Sequence, residues 1–131
     1  MANYLTEEHI VLLHAIVIKE TGGADGVRDP HGIKALIHLP QQGFGGKELY
    51  SDIFGKAAVY TRGIIKGHPF IDGNKRTAMV VASVFLEENG FNISEKEGGI
   101  ARFGIEIAEN KFKIPEIAAW FKKNSKRNKN R

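Results

Sequence analysis

The chain has 131 residues, 42% apolar and 26% charged, a balance that fits one folded domain with a real core and excludes a disordered polypeptide. No apolar run approaches the ~20 residues of a membrane-spanning helix, and the absence of cysteine excludes a disulfide framework and a thiolate metal site. The net charge of +4 is misleading as a hint of nucleic-acid binding. Residues 122–131 hold six of the 19 basic residues and no acid, leaving 13 basic against 15 acidic residues in the body. That tail reads as a solvated terminus, so no direct nucleic-acid role is expected. Met1–Tyr4 lack the basic and apolar regions of a signal peptide, and a cytoplasmic location is the expectation.

Thr6 is placed to cap a first helix, with Glu7 and Glu8 favourable at the positive end of its dipole. Ile10, Leu13 and Val17 then recur at helical spacing until Thr21-Gly22-Gly23. Asp29-Pro30 opens a short helix through Ile33, Leu36 and Ile37, ended by Pro40. The glycine-rich stretch 41–47 predicts a loop with Phe44 exposed near its tip. Leu49, Ile53, Ala57, Tyr60 and Ile64 give the third helix its apolar stripe, closed by Gly67. A fourth helix starts near Asp72 or Gly73 and runs to Asn89-Gly90, and the stretches 98–110 and 115–123 predict two more. Period-two alternation is nearly absent, so strands should be confined to a hairpin or two and the class is all-α. The domain is expected over 1–123, followed by a disordered basic tail over 124–131.

The fourth helix stands apart. From Ala78 to Leu86 only Ser83 is polar, which predicts a helix buried in the middle of a bundle. Its N-terminus is the most polar stretch of the chain, so that end should open toward solvent or a cleft.

Around that end His68, Asp72, Gly73, Asn74, Lys75 and Arg76 crowd into about one turn. The first turn of a helix carries unpaired N–H groups and the positive end of the dipole, a ready anion site. Gly73 lets a ligand approach the backbone, Arg76 can grip phosphate oxygens in a fork, and Lys75 adds a mobile charge. Asp72 offers the hard oxygen that suits Mg²⁺ shared with a polyphosphate, and His68 can accept a hydroxyl proton near neutral pH. Each residue alone also has an ordinary reading: Asp72 as helix cap, Gly73-Asn74 as turn dipeptide, the cations as solvated. Jointly they favour a ligand, because cations in a first turn oppose the dipole unless an anion is present. Composition by itself establishes an anion site with a histidine and no particular reaction.

The string His68-Pro69-Phe70-Ile71-Asp72-Gly73-Asn74-Lys75-Arg76-Thr77-Ala78 resembles the signature of the Fic/Doc superfamily. The loops at Gly26–Pro30 and Gln42–Gly46, and Phe85-Leu86 with Asn89-Gly90-Phe91, resemble its Doc, or death-on-curing, branch. AMP-transferring Fic proteins carry Gly-Asn-Gly-Arg and a second arginine, whereas this chain has Gly73-Asn74-Lys75-Arg76 and no arginine in 77–81. The resemblance implies a compact Fic/Doc-type bundle of about six helices around a buried central helix, with a flap loop. It implies a toxin that moves the γ-phosphoryl group of ATP, with Mg²⁺, onto a protein hydroxyl. By family pattern the target is a threonine of elongation factor Tu and the outcome is arrested translation.

In the roles so implied, His68 is the general base and Asp72 binds Mg²⁺ or orients the nucleophile. Gly73 and Asn74 line the anion hole, Lys75 and Arg76 hold phosphates, and Phe70 anchors the loop in the core. Gly73, where some Doc-like members have alanine, keeps an AMP-transferring or other nucleotidyl-transferring activity in view as the alternative, beside a non-catalytic binding module. Lys66 is a weak candidate for a phosphate contact or a solvated helix end. His9, His14, His31 and His38 read as structural or solvated, and no zinc site is expected. The flap around Phe44 reads either as a device that aligns the acceptor segment as an added strand or as an ordinary flexible loop. No inhibitory Ser/Thr-x-x-x-Glu-Gly/Asn helix is present, Ser94–Gly98 being one residue short. The resemblance implies control by a separate antitoxin of the Phd type, seated in an apolar groove that includes Phe44 or residues of the first helix.

Overall fold

Local capping chemistry sets the helix starts. In the computed structural model, which describes residues 2–94 and 98–128, helix α1 spans Glu7–Thr21. The Thr6 hydroxyl accepts from His9 N–H at 3.1 Å and Thr6 N–H donates to His9 Nδ1 at 3.2 Å, a reciprocal cap that uses histidine in place of the usual glutamate. Helix α2, Pro30–His38, is capped by Asp29, which accepts from Gly32 N–H, and runs into a single 3-10 turn, Leu39–Gln41. Strands β1 (Gly43–Phe44) and β2 (Lys47–Glu48) then form a minimal hairpin, with Gly43 opposite Glu48 and Phe44 opposite Lys47. Phe44 is 89% exposed. Helix α3, Ile53–Gly67, begins after Asp52, whose carboxylate accepts from Gly55 N–H at 2.6 Å. Leu49 thus stands outside the third helix and is exposed: Asp52 caps more strongly than the apolar spacing extends.

Helix α4, Asn74–Glu88, packs chiefly against α3 and also meets α1 and α5. Strand β3 (Phe91–Ile93), α5 (Gly99–Glu109), α6 (Ile114–Lys123) and β4 (Ser125–Arg127) complete the described chain. The fold is mostly helical, and among the described residues its strands form two short antiparallel pairs. Tyr60, Ile64, Phe70, Phe85, Leu86 and Phe121 are among the fully buried side chains at its centre. The Tyr60 hydroxyl accepts from Leu5 N–H at 3.2 Å, and burial pushes its pKa up to about 12.

Three expectations change. The tail is not free over its first part: β4 pairs with β3, Phe91 opposite Arg127 and Ile93 opposite Ser125. Asn128 N–H closes on Gly90 O at 2.6 Å, and the Arg127 guanidinium lies 5.7 Å from the Phe91 ring. A two-stranded edge leaves its side chains in water, so the cations do not oppose pairing. Residues 129–131 of the tail, and Glu95–Glu97 of the near-match to an inhibitory helix, lie outside the described residues. The second change is in α4, which is not buried all round. Ala78, Val81, Ala82, Phe85 and Leu86 face the core, while Val80, Ser83, Val84 and Glu87 line an open cleft. The third is in α1, whose buried side chains are Ile10, His14, Val17 and Ile18: Leu13 is only partly buried, and His14 takes the structural reading given to it.

Candidate active site

The site is a turn held between two helices. At the end of α3 the His68 N–H donates to Ile64 O, and His68 adopts φ 48° and ψ 55°. It is the one non-glycine residue with positive φ among the described residues, a conformation that costs an L residue about 1 kcal/mol. The segment between α1 and α2 lies alongside and holds it. Arg28 and Asp29 N–H groups both donate to Pro69 O, Ile71 N–H donates to Gly26 O, and Val27 bridges Phe70. The Arg28 guanidinium donates through Nε to His68 O at 2.6 Å and through Nη2 to Gly67 O at 2.7 Å.

Asn74 closes the turn from inside. Its Oδ1 accepts from Phe70 N–H and its Nδ2 donates to Phe70 O, both at 3.0 Å, and Nδ2 also lies 3.5 Å from His68 Nδ1. Its side chain is therefore committed to the loop, and only its backbone stands in the first turn of α4. Phe70 is fully buried and stacks on His14 with ring centroids 3.8 Å apart and planes 4° from parallel. His14, 1% exposed, brings Nε2 within 2.8 Å of Asp72 O. A carbonyl can only accept, so Nε2 carries the proton. Its Nδ1 sits 3.7 Å from Asp25.

Asp72 is not the cap of α4. Gly73 is, at φ 76°, with no side chain bonded to the free N–H groups. A Cβ there would meet Ile18 Cδ1 at 3.0 Å in a backbone conformation that disfavours one. Asp72 accepts from Gly73 N–H at 3.0 Å and from Ala24 N–H at 3.3 Å while staying exposed. No acid occupies the first turn of α4, and Lys75 and Arg76 are exposed with no ion-pair or hydrogen-bond partner among the described residues. Free N–H groups and two exposed cations at a helix start combine the features that attract an anion.

From there a cleft of about 890 Å³ runs along α4. His68, Asp72, Gly73, Lys75 and Arg76 line one end, Met79, Val80, Val84 and Glu87 continue it, and Ile100, Ala101 and Ile105 of α5 form the opposite wall. Its size suits a small-molecule ligand with a charged head and an apolar body. Among the described residues no cluster of three metal-ligating side chains occurs; of the two carboxylates that line the cleft, Asp72 stands beside the start of α4 and Glu87 in its last turn. One carboxylate plus ligand phosphates and water fits Mg²⁺, which dehydrates reluctantly.

The model of the family described as Fic/DOC matches residues 4–86, a span that contains this turn. The chain belongs to the Fic/DOC family. It is 34% identical over 90 residues to "Protein kinase doc" of Escherichia phage P1, covering 69% of this chain and 71% of that protein. It is 32% identical over 110 residues to "Toxin Doc" of Mycolicibacterium smegmatis, covering 84% of this chain and 78% of that one.

Within this Fic/DOC site the sequence-derived residues His68, Asp72, Gly73, Asn74, Lys75 and Arg76 all line one cleft. Two residues hold them: His14, for which the structural reading stands, and Arg28, which was not singled out. His14 carried a signal, since a histidine on a buried apolar face must find a partner. Arg28 carried none beyond lying in a family-like loop, because its partners are carbonyls 39 and 40 residues away. Lys66 is the exposed helix end of the second reading, in the last turn of α3, and its ammonium also donates to Ala108 O and Asn110 O at the end of α5.

Proposed function

We propose that the chain is a Doc-type toxin that transfers the γ-phosphoryl group of ATP to a hydroxyl of another protein. The observation that carries this reading is the pair Lys75 and Arg76, exposed on an uncapped helix start and facing a cleft shared with His68. Lys75 stands where AMP-transferring relatives have glycine, and its side chain takes up space at the phosphate end, favouring a nucleotide that presents its terminal phosphate.

In this reading His68 takes the proton as the acceptor oxygen bonds to the γ-phosphorus, the bond from that phosphorus to the bridging oxygen breaks, and ADP leaves. Lys75, Arg76 and the free N–H groups of α4 hold the charge that moves to the bridging oxygen. Asp72 would hold Mg²⁺, which supplies charge neutralisation across the phosphates. Asn74 and His14 keep the loop in register.

The target carried by family resemblance is a threonine of elongation factor Tu, with translation arrest as the result. In this reading the acceptor segment pairs with the hairpin at Phe44, whose two short strands are exposed. An antitoxin of the Phd type would sit on α1, where Leu12 and Ile16 are exposed and Leu12 joins Tyr4, Leu13 and Val84 around a 330 Å³ hollow.

The test incubates the purified chain with ATP labelled at the α or the γ position, together with cell lysate or purified elongation factor Tu. Label transferred from the γ position supports the reading. Label transferred from the α position makes the protein a nucleotidyl transferase instead, and no transfer of either leaves a binding module.

A further inference from the structure

The conformation of His68 is disfavoured twice over, and the chain supplies a device against it. Left-handed φ is uncommon for histidine, and the residue before a proline is biased toward extended backbone. His68 precedes Pro69 and yet sits at φ 48° and ψ 55°. The two rotations of a residue are set by the peptide planes on either side of it. The plane before His68 carries Gly67 O and the plane after it carries His68 O. Arg28 donates to both, at 2.7 and 2.6 Å, from one rigid guanidinium. Its own N–H donates to Pro69 O at 2.8 Å, so the root of the side chain is fixed to the same loop.

We propose that Arg28 is a positioning residue for His68: its fork fixes both peptide planes around that residue and so holds the imidazole at the mouth of the cleft. The fork matters as well as the charge. A lysine ammonium is a point charge on a flexible stem without the planar fork, so it fixes the two carbonyl directions less rigidly. Arg28 is exposed and fills no core space, so its removal opens no cavity. It is also not among the residues that line the cleft, so its replacement leaves the phosphate-holding side chains in place. The kinetic part of the inference rests on the reading of His68 as the base; the conformational part does not.

The test compares the full chain with its Arg28→Ala, Arg28→Gln and Arg28→Lys variants. It reads three quantities: the His68 ¹³Cα and ¹³Cβ signals by NMR, ATP affinity by calorimetry, and kcat for γ-label transfer. Arg28→Ala should move the His68 signals away from left-handed values and lower kcat by roughly 10–100-fold, the scale of a small misplacement of a reacting group. ATP affinity should stay within about twofold, because the phosphate-holding residues are untouched. Arg28→Lys should recover part of kcat and Arg28→Gln less. If Arg28→Ala does not fold, the Lys and Gln variants carry the same comparison. His68 signals that do not move in any folded variant overturn the inference, as does a fall in ATP affinity that matches the fall in kcat. Moved signals in a protein whose parent transfers no label sustain the inference and overturn the proposed function.

Discussion

Lys56 and Lys75 show two opposite treatments of the same side chain. Lys56 on α3 is 2% exposed, and its ammonium donates to Tyr50 O at 2.6 Å and Pro40 O at 3.1 Å, with Glu48 at 3.4 Å and the Tyr4 ring 5.5 Å away. Every donor there has an acceptor, and the result is architecture: the 3-10 turn, the hairpin and α3 are tied at one point. Lys75 and its neighbour Arg76 stand exposed at the positive end of a helix dipole, with no acceptor among the described residues. A buried cation must be satisfied by the protein, whereas an exposed one in an unfavourable field can wait for a ligand. The difference separates what folds this chain from what it is built to bind.

The largest expected effect tests the open side of that contrast. His68→Asn keeps a side chain that tolerates left-handed backbone but removes the base. Transfer of γ-label should fall by about 10²–10⁴-fold, the usual contribution of general base catalysis, while the melting temperature stays close to that of the parent. Transfer within about threefold of the parent would leave His68 without its assigned role.

The satisfied side breaks differently. Lys56→Met keeps the length and apolar stem yet strips the Tyr50 and Pro40 carbonyls of their donor. Unfolding in urea should show a loss of about 2–4 kcal/mol, from buried acceptors left unpaired. A loss below about 0.5 kcal/mol would mean that water reaches those carbonyls and the tie is incidental.

How far the sequence alone exposes these two places follows from how local their causes are. Thr6, Asp29 and Asp52 cap helices three residues downstream, so helix starts are legible in short windows, apart from the overrun at Leu49. The site turn is legible for the same reason: His68 to Arg76 is contiguous, and its polarity contrasts with the apolar run that follows. Its supports are not. Arg28 acts on Gly67 and His68, and His14 acts on Asp72 across 58 residues. Lys56 is the same kind of case, since a lysine on a helix gives no sign that its head will be enclosed by a loop folded over it. The β3–β4 pair escapes notice because a basic tail carries no alternation, and only the return of α6 past Phe91 brings the two segments together.

The smallest expected effect is also the sharpest, because its sign separates the two lysines. Lys75→Gln and Arg76→Gln remove cations from the end of α4 where the dipole disfavours them, and glutamine keeps helix propensity. Without nucleotide each variant should therefore be more stable than the parent, by a few tenths to about 1 kcal/mol. With ATP the order should reverse. A ligand at about 100 times its dissociation constant adds about 2.7 kcal/mol to the parent, and variants that have lost its phosphate contacts gain little of this. Thermal melts with and without ATP read both halves. If either variant is less stable than the parent when ATP is absent, that cation is part of the scaffold, as Lys56 is, and the open half of the contrast fails.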